Sequence, residues 1–144
     1  MEVKKVECTG KCYFVLLLAL FQFMECGILL IVMLKCKVQG FFAYVLLDLI
    51  LVMLCSIAIY FLLYWKNKKI VMSDNEIIYY PIIGKVRTYS WNDVKEIYYK
   101  SGLRGNSRLV IETDKKIYMD CEMMKNCGET VKLIMKKGYL KTNI

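Results

Sequence analysis

Two carboxylates stand where an acid is expensive. Glu25 interrupts the apolar run Tyr13–Leu34, and Asp48 interrupts a second run, Phe41–Tyr64. Gln22 lies one helical turn before Glu25. In such surroundings a carboxyl stays protonated and hydrogen-bonded within a helix pair, contacts a partner helix, or relays a proton or ion. Measured from the segment between the runs, Glu25 and Asp48 lie about 13 and 10 Å along their helices. At that similar depth they are expected to face each other across an antiparallel pair. Two helices cannot enclose an ion path without oligomerising, so fixing the hairpin or docking a partner is the expected role.

The remaining chemistry is cationic. Twenty-one Lys and Arg oppose thirteen Asp and Glu, a formal charge of +8. Residues 1–65 hold five Lys against four acids; residues 66–144 hold sixteen cations against nine acids, so the basic balance belongs to the tail. Lys66, Lys68 and Lys69 directly follow the second apolar run. Lys100, Arg104 and Arg108 surround a Gly-rich loop, and Lys85 and Arg87 lie on another segment. These five are candidate contacts for phosphates or acidic partner groups. A basic domain beside an anionic bilayer gains about 1 kcal/mol per cation near the surface. A cytoplasmic flank is also basic for reasons of topology alone.

Other activities find no support. The chain has no His, which removes the usual member of most general-base and metal schemes. It carries no GxSxG and no phosphate-cradling Gly-Lys-Ser/Thr loop, and Gly102-Leu103-Arg104-Gly105 reads as a turn. Its cations are not interleaved with aromatics in a nucleic-acid motif, so no nucleic-acid partner is expected. Seven Cys without a repeated spacing make a poor disulfide or zinc framework. Cys26 and Cys55 suit small apolar packing positions. Cys8 and Cys12 flank the first run and Cys36 lies in the turn. Cys121 and Cys127, six apart, fit reduced thiols on a final helix. The reading is non-enzymatic, with no metal or cofactor.

These residues need elements to hold them. The two runs are about 22 and 24 residues long, which as helices cover roughly 33–36 Å. A hydrocarbon core is about 30 Å thick, so residues 1–65 read as a transmembrane hairpin. Lys4, Lys5, Lys11, Lys66, Lys68 and Lys69 flank one side of it, and Lys35 and Lys37 the other. That asymmetry predicts a multi-pass protein of the cell membrane with both termini cytoplasmic. Tyr13, Phe14, Tyr60, Tyr64 and Trp65 suit the interfacial belt. Met1–Cys12 reads as a polar lead.

Residues 66–144 change period. Short strands are predicted over Ile70–Ser73, Ile77–Tyr80, Val86–Ser90, Val94–Lys100, Ser107–Thr113 and Lys116–Asp120, separated by turn residues. Trp91-Asn92-Asp93 forms a corner that Ser90 or Asn92 can cap. A closing helix takes Asp120 as N-cap and Gly138 as its stop, with Met123, Met124, Cys127, Val131, Ile134 and Met135 on its buried face. Trp91, Ile97, Ile111, Val131 and Ile134 are the expected core. The fold class is therefore a membrane α+β chain: a helical hairpin, then a small antiparallel sheet or barrel with a C-terminal amphipathic helix.

Two stretches resemble bacterial pleckstrin-homology-like (PH-like) domains over roughly Lys69–Tyr139. One is Ile70-Val71-Met72-Ser73-Asp74-Asn75-Glu76-Ile77, a strand, an acidic-polar turn and a strand. The other runs from Gly84-Lys85-Val86-Arg87 through Trp91-Asn92-Asp93 to Val94-Lys95-Glu96-Ile97. In that family two transmembrane helices often precede the domain, as here. The resemblance implies a PH-like barrel closed by one helix. It also implies a binding or scaffold module whose ligand is a protein segment or an anionic membrane surface. Phosphoinositide-binding PH domains use basic residues around their first hairpin. Here that turn, Asp74-Asn75-Glu76, is acidic, which argues against inositol-lipid recognition there. The other expectation is an accessory subunit docked through Gln22, Glu25 and Asp48 into a larger membrane complex, with another protein or a second copy as partner.

Overall fold

The computed structural model describes residues 5–35, 40–101 and 107–140. Helices α1 (Tyr13–Lys35) and α2 (Phe41–Asn67) form an antiparallel pair. Both are long and apolar enough to cross a membrane. Only Val15, Ala19 and Cys26 of α1 and Ala58 and Tyr64 of α2 are buried. The small residues at this seam let the backbones approach closely. Cys26 and Cys55 meet there, sulfur to sulfur, at 3.5 Å. Tyr13, Phe14 and Tyr60 are exposed, whereas Tyr64 is turned into the core of the sheet region and Trp65 packs against it.

The segment read as a polar lead is a strand. Val6–Thr9 forms β1, which pairs antiparallel with β2 (Lys69–Met72), although the whole helical pair lies between them in sequence. The sheet continues through β3 (Glu76–Tyr80) and β4 (Arg87–Ser90) in the order β1-β2-β3-β4. A second antiparallel sheet is made by β5 (Glu96–Ser101), β6 (Ser107–Glu112) and β7 (Lys116–Asp120). Helix α3 (Cys127–Lys136) closes the chain. Alternate residues point inward: Cys8, Ile70, Met72, Ile77 and Tyr89 from the first sheet, and Ile97, Leu109, Ile111, Ile117 and Met119 from the second. Ile134 is fully buried among them and Val131 packs against their edge.

The expected barrel does not close. After β4 the chain enters a 3-10 turn at Trp91–Asp93. Ser90 Oγ accepts from the Asn92 N–H at 3.3 Å, and Asp93 Oδ2 accepts from the Ser90 N–H at 2.8 Å. This reciprocal cap ends the β4 ladder, so β5 pairs with β6 instead. Single bridges, Thr9 with Lys125 and Ile97 with Leu140, dress the remaining edges. Trp91 sits at the corner as the sequence suggests. Its indole N–H donates to the Ser73 carbonyl at 2.9 Å, and its ring packs 5.4 Å from that of Tyr139.

The closing helix begins later than its predicted cap. Asp120 ends β7, a turn follows, and α3 starts at Cys127 behind Asn126, whose φ of 63° is left-handed. This turn brings Cys121 and Cys127 together as a disulfide with Cα atoms 5.2 Å apart. The expectation of two free thiols on one helix fails because Cys121 is not on the helix. Met135 is also displaced from the predicted buried face and is half exposed. Thr130 takes a buried place there, its hydroxyl donating to the Asn126 carbonyl at 3.3 Å. Gly138 stops the helix as predicted, at φ 75°.

Candidate functional site

The first sheet and the helical pair meet at Lys68, the residue between α2 and β2. Its N–H donates to the Tyr64 carbonyl at 3.0 Å, and its carbonyl accepts from the Gly10 N–H at 2.7 Å. A Cβ on Gly10 would lie 2.5 Å from the Tyr64 carbonyl oxygen, so only glycine permits this approach. The Lys68 ammonium turns inward, 5.4 Å from the Tyr64 ring centre and 5.7 Å from that of Tyr79. Burial pushes its pKa down, against the opposing pull of Asp120. Tyr64 Oη donates to Asp120 Oδ2 at 3.3 Å, and Arg108 pairs with the other oxygen of the same carboxylate. Cys8 lies beside this group. Burial raises its thiol to about 11, although a Thr130 hydrogen bond and the Lys68 charge pull it down.

Outside this polar core lies a cleft of about 750 Å³. Its floor is the outer face of the first sheet, where Thr9, Lys69 and Tyr80 are register partners on adjacent strands. One wall is the last turn of α2 with Leu63, Lys66 and Asn67, joined by Lys11. The other wall is the loop between β3 and β4, with Ile82, Ile83 and Val86. Asn67 Nδ2 donates to the Ile82 carbonyl at 2.9 Å and ties that loop to the helix end. Gly84, at φ 115°, turns the loop so that Ile83 and Val86 project; they are 77% and 51% exposed.

The cleft carries a net positive charge. Glu7 is its one acid and pairs with Lys69 at 2.8 Å. The Lys69 ammonium also lies 5.5 Å from the Tyr80 ring centre. Lys11 and Lys66 are exposed, and among the described residues neither has a carboxylate within ion-pair distance. This arrangement offers ammonium groups above an apolar ledge, which suits an anionic amphiphile.

The sequence-predicted cations are not gathered at one place. Lys100 is exposed on the second sheet, opposite Arg108 in register, and Arg108 is already held by Asp120. Arg104 lies outside the described residues. Lys85 is exposed at the tip of the β3–β4 loop, and Arg87 follows on β4, opposite Tyr79. Lys66 and Lys69 contribute to the cleft, while the ammonium of Lys68 faces the interior. Sequence reasoning missed Glu7, Thr9 and Lys11 because the lead was not read as a strand. The signal was the alternation Val6-Glu7-Cys8-Thr9.

The acids in the helices do not pair. Gln22 Nε2 donates to Glu25 Oε2 within α1. Asp48 is exposed on α2 and makes no hydrogen bond to Glu25. The Cys26–Cys55 contact explains this. It sets Glu25 level with about Ser56, so Asp48 is displaced toward the turn by two helical turns, roughly 12 Å. Similar distances from the ends of the two apolar runs did not mean similar height, because beyond the Cys26–Cys55 contact α2 extends farther, to Phe41, than α1 does, to Lys35. No family model matches the chain, and no curated protein or solved structure matches it either.

Proposed function

We propose that this chain is a membrane-anchored, non-enzymatic binding and scaffold module. Its helical pair spans the cell membrane, and its PH-like sheet domain stands at the cytoplasmic face against an anionic lipid surface or a protein segment. The observation that carries this reading is the β1–β2 pairing. The strand before α1 and the strand after α2 are neighbours in one sheet, so the domain is stitched to the hairpin at both ends. The Gly10–Lys68 and Asn67–Ile82 hydrogen bonds stiffen the same joint. A domain fixed in this way presents one constant surface to the bilayer. The strand order, the Trp91 corner and the closing helix support the PH-like plan.

Two observations bear on orientation and pull in opposite directions. The lysine asymmetry favours the cytoplasmic face. The bonded Cys121–Cys127 pair suits an oxidising compartment. Protease digestion of sealed vesicles separates them. On the proposed reading, inside-out vesicles lose the sheet domain, right-side-out vesicles protect it, and alkaline carbonate leaves the chain in the membrane. Extraction by carbonate would remove the anchoring claim.

A second reading, an accessory subunit, draws on Asp48. Its carboxyl is exposed on a helix face among Val45, Leu49 and Val52, where hydrocarbon would offer it no partner. A helix from another protein or a second copy would cover it. Glu25→Gln with Asp48→Asn tests this by native electrophoresis of detergent extracts. Collapse of a larger complex with the sheet domain still folded supports the subunit; an unchanged complex excludes docking through these acids.

A further inference from the structure

We propose that the cleft at the helix–sheet joint holds the headgroup phosphate of one anionic membrane phospholipid, with Lys11, Lys66 and Lys69 around the phosphate and Leu63, Ile83 and Val86 against the first acyl carbons. The inference rests on the membrane-anchored reading and adds to it a ligand class and a site.

Four features of the cleft lead to this occupant. It opens beside the last turn of a helix long enough to span a membrane, which is the level of a headgroup in the proposed bilayer. Its cations outnumber its acid, and Lys11 and Lys66 have no ion-pair partner among the described residues. Its outer lip is apolar and projects, with Ile83 and Val86 on a loop held to the helix end by Asn67. Its volume of about 750 Å³ is in the range of small-molecule sites and ample for a phosphoglycerol group. A soluble anion would use the lysines and leave the lip in water. A neutral amphiphile would use the lip and leave the lysines unpaired. An anionic phospholipid uses both. The site lies at the opposite end of β2 and β3 from the acidic Asp74-Asn75-Glu76 turn.

The test uses the full chain in a neutral maltoside detergent, with calorimetric titration of short-chain phosphatidylglycerol, short-chain phosphatidylcholine and glycerol 3-phosphate. The expected result is one phosphatidylglycerol per chain, with no measurable phosphatidylcholine binding and at least tenfold weaker glycerol 3-phosphate binding. Lys11→Gln with Lys66→Gln should weaken phosphatidylglycerol roughly thirtyfold. Lys95→Gln with Lys136→Gln, the same charge change at two exposed lysines outside the cleft, should leave it within about twofold. Equal affinity for phosphatidylcholine, whose phosphate is offset by its own choline cation, would overturn the selection of an anionic headgroup by the lysines. Equal affinity for glycerol 3-phosphate would assign the lysines to a soluble anion and overturn the lipid. Equal loss in both double variants would mean diffuse attraction and overturn the site. Carbonate extraction of the same variants keeps the two readings apart: a chain that stays integral yet fails the titration loses this cleft only.

Discussion

The helical pair and the sheet domain bury opposite things. Among the described residues, twenty-four exposed large apolar side chains lie on α1 and α2 and only five on the rest of the chain. The sheet domain hides most of its Ile, Leu and Met in one core and turns most of its lysines outward, Lys68 being the buried exception. The helices hide little more than small residues at their seam. A soluble protein seldom exposes an apolar patch of more than a few hundred Å². The same amino acids therefore follow two solvation rules in one chain, and the joint around Lys68 is where the rules change. That joint is also where unusual groups collect: a buried ammonium, a carboxylate shared by Arg108 and Tyr64, and a buried thiol.

The comparison breaks most severely if the joint is cut. Residues 66–144 look like a separable domain in the sequence, but they lack β1. Removing residues 1–65 uncovers the β2 edge and takes Cys8, Val15 and Tyr64 out of the core they share with Ile70 and Met72. The fragment is expected to lose cooperative thermal unfolding by circular dichroism. Re-supplying residues 5–10 through a short linker ahead of Lys69 should restore it. A cooperative fragment without β1 would show that the domain owes nothing to the helical pair.

A matched pair of substitutions sharpens the contrast. Leu109 is fully buried in β6, and Leu49 is 62% exposed on α2. Leu109→Ala is expected to cost about 2–5 kcal/mol of sheet-domain stability by denaturant titration. Leu49→Ala should move the same transition by less than about 0.5 kcal/mol, because it opens no cavity. Equal effects would mean the two regions unfold as one unit.

How far these regions could be read beforehand follows the same division. Apolar length, despite Glu25 and Asp48, is enough to identify α1 and α2. Period-two alternation and turn residues identify six strands, and the size of Trp91 identifies its corner. Four things needed the third dimension. β1 is four residues long and its partner lies sixty residues on, so no local pattern announces the pairing. The helix register follows from one contact, Cys26 with Cys55, and that contact displaced Asp48 from Glu25. Asp120 has the chemistry of a helix cap, but Arg108 across the strand pair and Tyr64 from α2 claim it first. The cleft combines parts from β1, the end of α2 and the β3–β4 loop, and none of these is a motif by itself.

The Cys121–Cys127 bond is a smaller lever on the sheet side. It closes a loop across a sequence separation of six just ahead of α3. By chain entropy its loss costs about 2 kcal/mol. Cys121→Ala with Cys127→Ala should lower the thermal midpoint accordingly and increase amide exchange at the start of α3. Exchange in β5–β7 should stay near its original rate. Loss of protection throughout the second sheet would give this bond a wider structural reach.

The gentlest probe is pH at the joint itself. The Cys8 thiol ordinarily titrates near 9.0 and is raised to about 11 here, chiefly by burial, with Thr130 and Lys68 pulling the other way. Between those values the unfolded chain has released this proton while the folded chain keeps it. The unfolded state then binds fewer protons, so stability falls as pH rises above 9. Lys68 is shifted in the opposite sense: burial favours its neutral form, so the unfolded chain holds that proton longer and stability gains with rising pH. The two must be separated by subtraction. Comparing the original chain with Cys8→Ala cancels the Lys68 contribution to first order. The original chain should lose roughly 1–2 kcal/mol relative to the variant between pH 9 and 11. A constant difference across that range would mean that the thiol reaches water in the folded protein. The joint would then be looser than the Gly10–Lys68 and Tyr64–Asp120 contacts imply.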